Sequence, residues 1–133
     1  MTLEESVHVA DQEIPAQLAR DPSAGTLFQM SVSQMEDRCL IVLSGELDIS
    51  TAPVLRHRLA EITPDLTTDL VLDIGLLTFI DSTGLSLMVS EHKKLQAQGA
   101  GLTIFSPTPM TRRLFEISGL NSVLSILPES EAP

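Results

Sequence analysis

Three short apolar runs constrain this chain most. Cys39-Leu40-Ile41-Val42-Leu43, Leu70-Val71-Leu72 and Leu102-Thr103-Ile104-Phe105 are rich in strand formers and bounded by turn residues. Runs of that length and make-up fit strands of a covered sheet, buried on both faces. Between and after them the spacing changes to that of helices. Leu55, Leu59 and Ile62 fall at i, i+4, i+7 and stop before Pro64. Leu85, Met88, Val89 and Leu95 give a second stripe ending near Gly99, and Met110, Leu114 and Ile117 a third ending at Gly119. Each stripe is the apolar side of a helix. Ser50, Thr51 and Pro53 suit a helix start, as do Thr108 and Pro109, and Gly119 suits a C′ position. Upstream, Phe28, Met30 and Val32 alternate as in a half-buried strand, with a turn at Glu36-Asp37. Asp69 to Ile74 is read as one strand, with Leu76 to Ile80 leading into the next helix, and Ser125-Ile126-Leu127 as a last short strand. The order β-β-α-β-α-β-α-(β) predicts an α/β domain with a mixed sheet, helices on one or both faces and right-handed crossovers.

At 133 residues the chain holds one domain. The net charge is −10, and 6 of those charges sit in the ends: −4 in residues 1–25 and −2 in residues 129–133. We read 1–25, with Pro15, Asp21-Pro22 and Gly25, as a flexible acidic extension in which Asp11–Arg20 could form a short helix. The domain proper is 26–128, and 129–133 is a C-terminal tail. An acidic chain with four Phe, no Trp and no Tyr is a poor partner for nucleic acid or an anionic membrane. The single cysteine, Cys39, excludes an intrachain disulfide and a thiolate zinc site. The acidic N-terminus lacks a signal-peptide pattern, and the apolar run Leu70–Ile80, broken by Asp73, is too short to span a bilayer. These features lead us to expect a cytoplasmic protein, monomeric by default.

The segment Phe79-Ile80-Asp81-Ser82-Thr83-Gly84-Leu85 carries the most chemistry. Two hydroxyl residues and a glycine stand where an apolar strand meets a helix. A helix N-terminus offers free N–H groups and about half a positive charge, which suits an anion or a phosphorylated side chain. Two readings stand: Asp81 or Ser82 is only an N-cap, or Ser82 is a charge switch that gains roughly −1.5 to −2 on phosphorylation.

Taken together, Gly45-Glu46-Leu47-Asp48, Leu72-Asp73-Ile74, the Phe79–Leu85 segment, Arg113-Leu114-Phe115 and Gly119-Leu120 resemble the STAS-domain anti-sigma factor antagonists. The resemblance spans Leu27 to Leu127. It implies a STAS fold, a four- to five-stranded mixed sheet packed against three to four helices. It also implies partner switching. The unphosphorylated antagonist binds an anti-sigma factor that is a serine kinase, and a sigma factor is freed. Phosphorylation of Ser82 breaks the complex, and a serine phosphatase reverses it. Thr83 stands where many members have serine, which makes it a rival acceptor; Gly75-Leu76-Leu77 lacks the polar residue often found there. The implied docking face is Asp48, Ser50 and Thr51 with Asp81, Ser82, Thr83, Gly84 and Leu85. Leu87, off the main stripe, is the expected exposed apolar anchor. Asp48 keeps a second reading as a turn or capping residue, and Glu46 reads as a solvated strand-end charge.

No enzyme signature competes. A Gly-x-Ser-x-Gly elbow and a phosphate-binding Gly-x-x-x-x-Gly-Lys loop are absent. His8, His57 and His92 have no metal-ligand spacing; His92 reads as partly buried and His57 as solvated. Lys93-Lys94 and Arg112-Arg113 read as surface pairs. We therefore expect no catalytic residue, cofactor or metal. The alternative function is a STAS scaffold subunit of a stress-sensing or lipid-transport assembly, without a cognate anti-sigma kinase.

Overall fold

The computed structural model describes residues 28–127 except Thr67 and Ser106. The expectations for 1–25, for Asp11–Arg20, for His8 and for 129–133 lie outside those residues. The strands are β1 (Gln29–Gln34), β2 (Arg38–Leu47), β3 (Asp69–Ile80), β4 (Leu102–Phe105) and β5 (Ser125–Leu127). The helices are α1 (Ala52–Ile62), α2 (Ser82–Ala97) and α3 (Pro109–Ser118). The strands form one five-stranded sheet in sequential order β1-β2-β3-β4-β5. β1 and β2 pair antiparallel, and all later pairs are parallel. Each parallel neighbour is reached through a helix, as parallel pairing requires.

The core lies on one face of the sheet. Met30 and Val32 of β1, Cys39, Ile41, Leu43 and Leu47 of β2, Leu70, Leu72 and Ile74 of β3 and Ile104 of β4 join one cluster. Leu55 and Leu59 of α1, Leu87, Met88 and Leu95 of α2 and Phe115 of α3 belong to the same cluster, so all three helices cover that face. The expectation of two covered faces fails in β2. Its residues alternate between buried and half-buried, because one side of the strand carries no helix. The run Leu70-Val71-Leu72 is buried on both sides, as its sequence suggests.

Two helical stripes are rotated from their sequence reading. In α2 the buried positions are Gly84, Leu87, Met88, Glu91 and Leu95, whereas Leu85 and Val89 are half-buried. A glycine and a glutamate in the inward row hid it from a hydrophobicity count. Glu91 is 2% exposed and accepts a hydrogen bond from Lys94 Nζ at 3.3 Å. In α3 Thr111 and Phe115 are buried, and Met110 and Ile117 stand in solvent. The Thr108 hydroxyl caps this helix by accepting from the Thr111 N–H, and Gly119 ends it at φ 79°. His57 is exposed and His92 half-buried, in line with their sequence readings.

β3 is longer than expected. It continues without a break through Leu76 to Ile80, while its pairing with β4 ends at Asp73–Phe105. Beyond that point β3 keeps β2 as its one strand partner, and past Ser44, where pairing with β1 ends, β2 and β3 run on as a two-stranded arm. At the other end of α2, Gln98 Nε2 donates to the carbonyls of Thr63 (2.7 Å) and Leu66 (3.0 Å), just past α1. These two bonds tie the C-terminal ends of α1 and α2 together.

Phe115 is the test of α3 docking. Phe115→Ala removes a fully buried ring, and urea unfolding should register a loss of about 3–5 kcal/mol. A loss under about 1 kcal/mol would mean that α3 does not pack on the sheet through this residue.

Candidate functional site

The arm places two loops side by side. One follows β2 and the other follows β3, and the last β2–β3 pair is Leu47–Ile80. The Asp81 N–H then donates to the Leu47 carbonyl at 3.2 Å, which stitches the second loop to the first.

In the first loop Asp48 is the organiser. Its Oδ1 accepts the backbone N–H groups of Ser50 (2.9 Å) and Thr51 (3.1 Å) and the Ser50 hydroxyl (3.0 Å). The Asp48 N–H donates to Thr51 Oγ1 at 2.9 Å, and that hydroxyl donates to the Glu46 carbonyl at 2.7 Å. Thr51 stands at the cap position of α1 without a side-chain cap bond, since its hydroxyl is used in this turn. Ser50 and Thr51 suit a helix cap in sequence, but α1 has no side-chain cap: their N–H groups go to the Asp48 carboxylate, and the Ala52 N–H donates to the Asp48 backbone carbonyl at 2.8 Å. Partial burial pushes the Asp48 carboxyl up, but the hydrogen bonds from Ser50 and Thr51 outweigh it and hold the pKa below the ordinary carboxylate value.

In the second loop Asp81 is the N-cap of α2. Its Oδ1 accepts from the N–H groups of Thr83 (2.9 Å) and Gly84 (3.1 Å). Those are donors that an anion at the helix start would have used. The expected anion cradle is therefore already filled by a carboxylate. Ser82 is the first helical residue and is exposed, and Thr83 is half-buried. Gly84 is buried against the arm: a β-carbon there would lie 2.9 Å from both Ile80 Cγ1 and Leu47 Cγ. Only glycine lets the first turn of α2 sit this close to β2 and β3.

The arrangement thus brings Asp48, Ser50 and Thr51 together with Asp81, Ser82, Thr83, Gly84 and Leu85. It does not bring Leu87 with them. Leu87 is 1% exposed and packs in the core, so it is not a surface anchor. It lies on the inward row with Gly84 and Leu95, a row the sequence stripe had placed elsewhere. Leu85 instead lines a groove of ≈ 530 Å3 with Val89, Lys93 and Leu120, and Ser82 stands at one end of its α2 wall. Sequence reasoning missed three exposed apolar side chains on this end of the molecule: Ile49, Leu76 and Phe79. The break in β3 alternation, two polar-face positions filled by Leu and Phe, is the signal for Leu76 and Phe79; Ile49, in the loop after β2, carries none.

Among the described residues no cluster of three His, Cys, Asp or Glu side chains could hold a metal ion. Cys39 is fully buried, and burial pushes its thiol pKa up, the reverse of what a nucleophile needs. No helix among the described residues is long and apolar enough to cross a membrane.

Comparison with known proteins agrees with this architecture. Residues 29–132 match the STAS domain. The chain belongs to the STAS domain family. An anti-sigma-B factor antagonist of Bacillus subtilis (strain 168) is 32% identical over 104 residues, covering 78% of this chain and 94% of that protein. Among solved structures, an anti-sigma factor antagonist from Mycobacterium paratuberculosis superposes with a TM-score of 0.69 at 26% identity, covering 76% of this chain and 86% of that one. SpoIIAA, the Bacillus cell fate determinant, has a phosphorylated form that superposes at 0.60 with 26% identity, covering 79% of this chain and 95% of its own. The five-stranded mixed sheet with three helices is thus the STAS fold that the motifs implied.

Two outcomes test the site's construction. Gly84→Val places methyl groups against Leu47 and Ile80 and should cost about 1–3 kcal/mol in chemical denaturation. An unchanged midpoint would mean the helix start is not wedged against the arm. The lowered pKa of Asp48 stabilises the fold above the ordinary carboxylate value, and that contribution is lost as pH falls through the folded-state value. Asp48→Asn lacks this titration. The stability gap between wild type and Asp48→Asn should therefore narrow on going from pH 6 to pH 3, and a gap independent of pH would refute the assignment.

Proposed function

We propose that this STAS domain is an anti-sigma factor antagonist whose docking face is the Asp48–Thr51 loop and the first turns of α2. In its unphosphorylated form it binds an anti-sigma factor serine kinase and so frees a sigma factor. The observation that carries the reading is the placement of Ser82, exposed at the first position of α2 beside the Asp48 loop. The names of the relatives support it, and so does the existence of a 26%-identical relative in both an unphosphorylated and a phosphorylated form.

The chemistry of the switch follows from the local charges. The kinase transfers the γ-phosphoryl group of ATP to Ser82 Oγ; the hydroxyl proton departs and ADP leaves. A serine phosphatase returns the hydroxyl by hydrolysis, releasing inorganic phosphate. ATP belongs to the kinase, so this chain needs no cofactor of its own. Ser82 is the better acceptor than Thr83, since it is exposed and Thr83 is half-buried. The new charge of about −1.5 to −2 would arise next to the Asp81 carboxylate, whose oxygen already holds the Thr83 and Gly84 N–H groups. It is therefore left to solvent when the chain is free. A docked partner would have to bury it beside Asp81, which costs several kcal/mol through desolvation and like-charge repulsion. Each 1.4 kcal/mol weakens affinity tenfold. No nucleic acid and no membrane enters this cycle.

The test uses the purified kinase-type anti-sigma factors encoded by the same genome. One of them should bind the unphosphorylated chain and, with MgATP, add a single phosphate that fragmentation places on Ser82. Ser82→Ala should bind it like wild type, and Ser82→Asp at least tenfold more weakly. Phosphate on Thr83 would move the site. Binding to none of these proteins would sink the reading and leave the scaffold alternative.

A further inference from the structure

From the arm we infer a second half of the docking surface: an apolar anchor, formed by Leu76 and Phe79 on the helix-free side and Ile49 in the adjoining loop, that seats in an apolar pocket of a basic partner surface. This rests on the proposed function and specifies its partner contact. Leu76 pairs in register with Ser44, and Phe79 with Glu46. Leu77, from the intervening pair with Gly45, and the next pair, Leu47–Ile80, are buried in the core. Leu76 and Phe79 therefore face away from all three helices. They are 63% and 44% exposed, and Ile49, two residues past Leu47, is 74% exposed.

The exposure is built into the strand. β2 and β3 slip register between Val42 and Ser44 and again between Gly45 and Glu46, and Gly45 sits at φ 95°. Such bulges bend a strand pair and re-aim its side chains. Here they turn a leucine and a phenylalanine outward at the end that also carries Ser82. Thr78 Oγ1 donates to the Gly45 carbonyl at 3.2 Å and holds the bent segment in place. An outward Phe and Leu leave much of their apolar surface in water, and such surface marks an interaction site.

Charge selects the occupant. The sequence has no lysine or arginine between Arg38 and Arg56, nor between Arg58 and Lys93. The loops and arm at this end thus contribute Glu46, Asp48 and Asp81 and no lysine or arginine to offset them. A second copy of this chain would bring like charges to the same place. A basic partner surface with an apolar recess is complementary on both counts, and a phosphate on Ser82 disrupts the same electrostatic match. The phosphorylated residue and the anchor then lie on neighbouring parts of one end, the first supplying control and the second affinity.

The probe is the purified anti-sigma factor that wild type binds in the preceding experiment. Titration calorimetry should find Ile49→Ser and Phe79→Ser each at least about tenfold weaker, with the double variant weaker still. Phe79→Leu should recover most of the affinity. Met35→Ser removes another exposed apolar side chain at the opposite end of β2 and should bind like wild type. Circular dichroism and thermal unfolding should match wild type for every variant, because these side chains lie at the surface. If Ile49→Ser and Phe79→Ser bind within threefold of wild type while Ser82→Asp does not, the anchor is wrong and the switch stands. If wild type binds no anti-sigma factor, both fall. If sedimentation shows a wild-type dimer that the tip variants lose, the surface belongs to a second copy and the inference is overturned.

Discussion

The molecule is organised around a single close approach, that of the first turn of α2 to the ends of β2 and β3. Gly84 lies where a side chain would collide with Leu47 and Ile80. The Asp81 N–H reaches the Leu47 carbonyl across the same junction. Without that approach the two loops would belong to separate elements. With it, a loop from residue 48 and a helix start from residue 82 become one surface. The carboxylates of Asp48 and Asp81 then act in parallel, each collecting two backbone N–H groups from the residues that follow it. Both loops are locally closed, so their geometry does not wait on a partner.

That closure alters how a phosphate at Ser82 would act. A bare helix N-terminus stabilises an anion, and a phosphate there would be welcome. Here the nearest donors are taken, and the neighbour is itself an anion. The consequence is a residue that can be charged cheaply in water and expensively in an interface. Such a site discriminates by what surrounds it, and the fold need not rearrange for the discrimination to work.

Much of this was legible in the residues. The alternation Phe28-Met30-Val32, the apolar runs and the stops at Pro64, Gly99 and Gly119 place the elements in the right order. The cluster around Ser82 marks itself by its departure from apolar patterning. What was hidden follows from two physical causes. The inward row of α2 contains Gly84 and Glu91, one chosen for close approach and one held by Lys94, so counting hydrophobic residues points to the wrong side and misplaces Leu87. The arm contains bulges, which no alternation rule anticipates, and so Leu76 and Phe79 look like core residues until the register is known. Asp48 shows a limit of another sort: Ser50 and Thr51 look like caps of α1, yet their own N–H groups are held by its carboxylate.

The two bonds from Gln98 to the Thr63 and Leu66 carbonyls take on meaning in this setting. They clasp the far ends of the two helices whose near ends follow the functional loops. The clasp holds α1 and α2 to each other at the far end, and the wedge seats α2 on β2 and β3 at the near one. The tip is accordingly presented as a fixed stamp: its outline stays constant, and a covalent mark can rewrite only its charge.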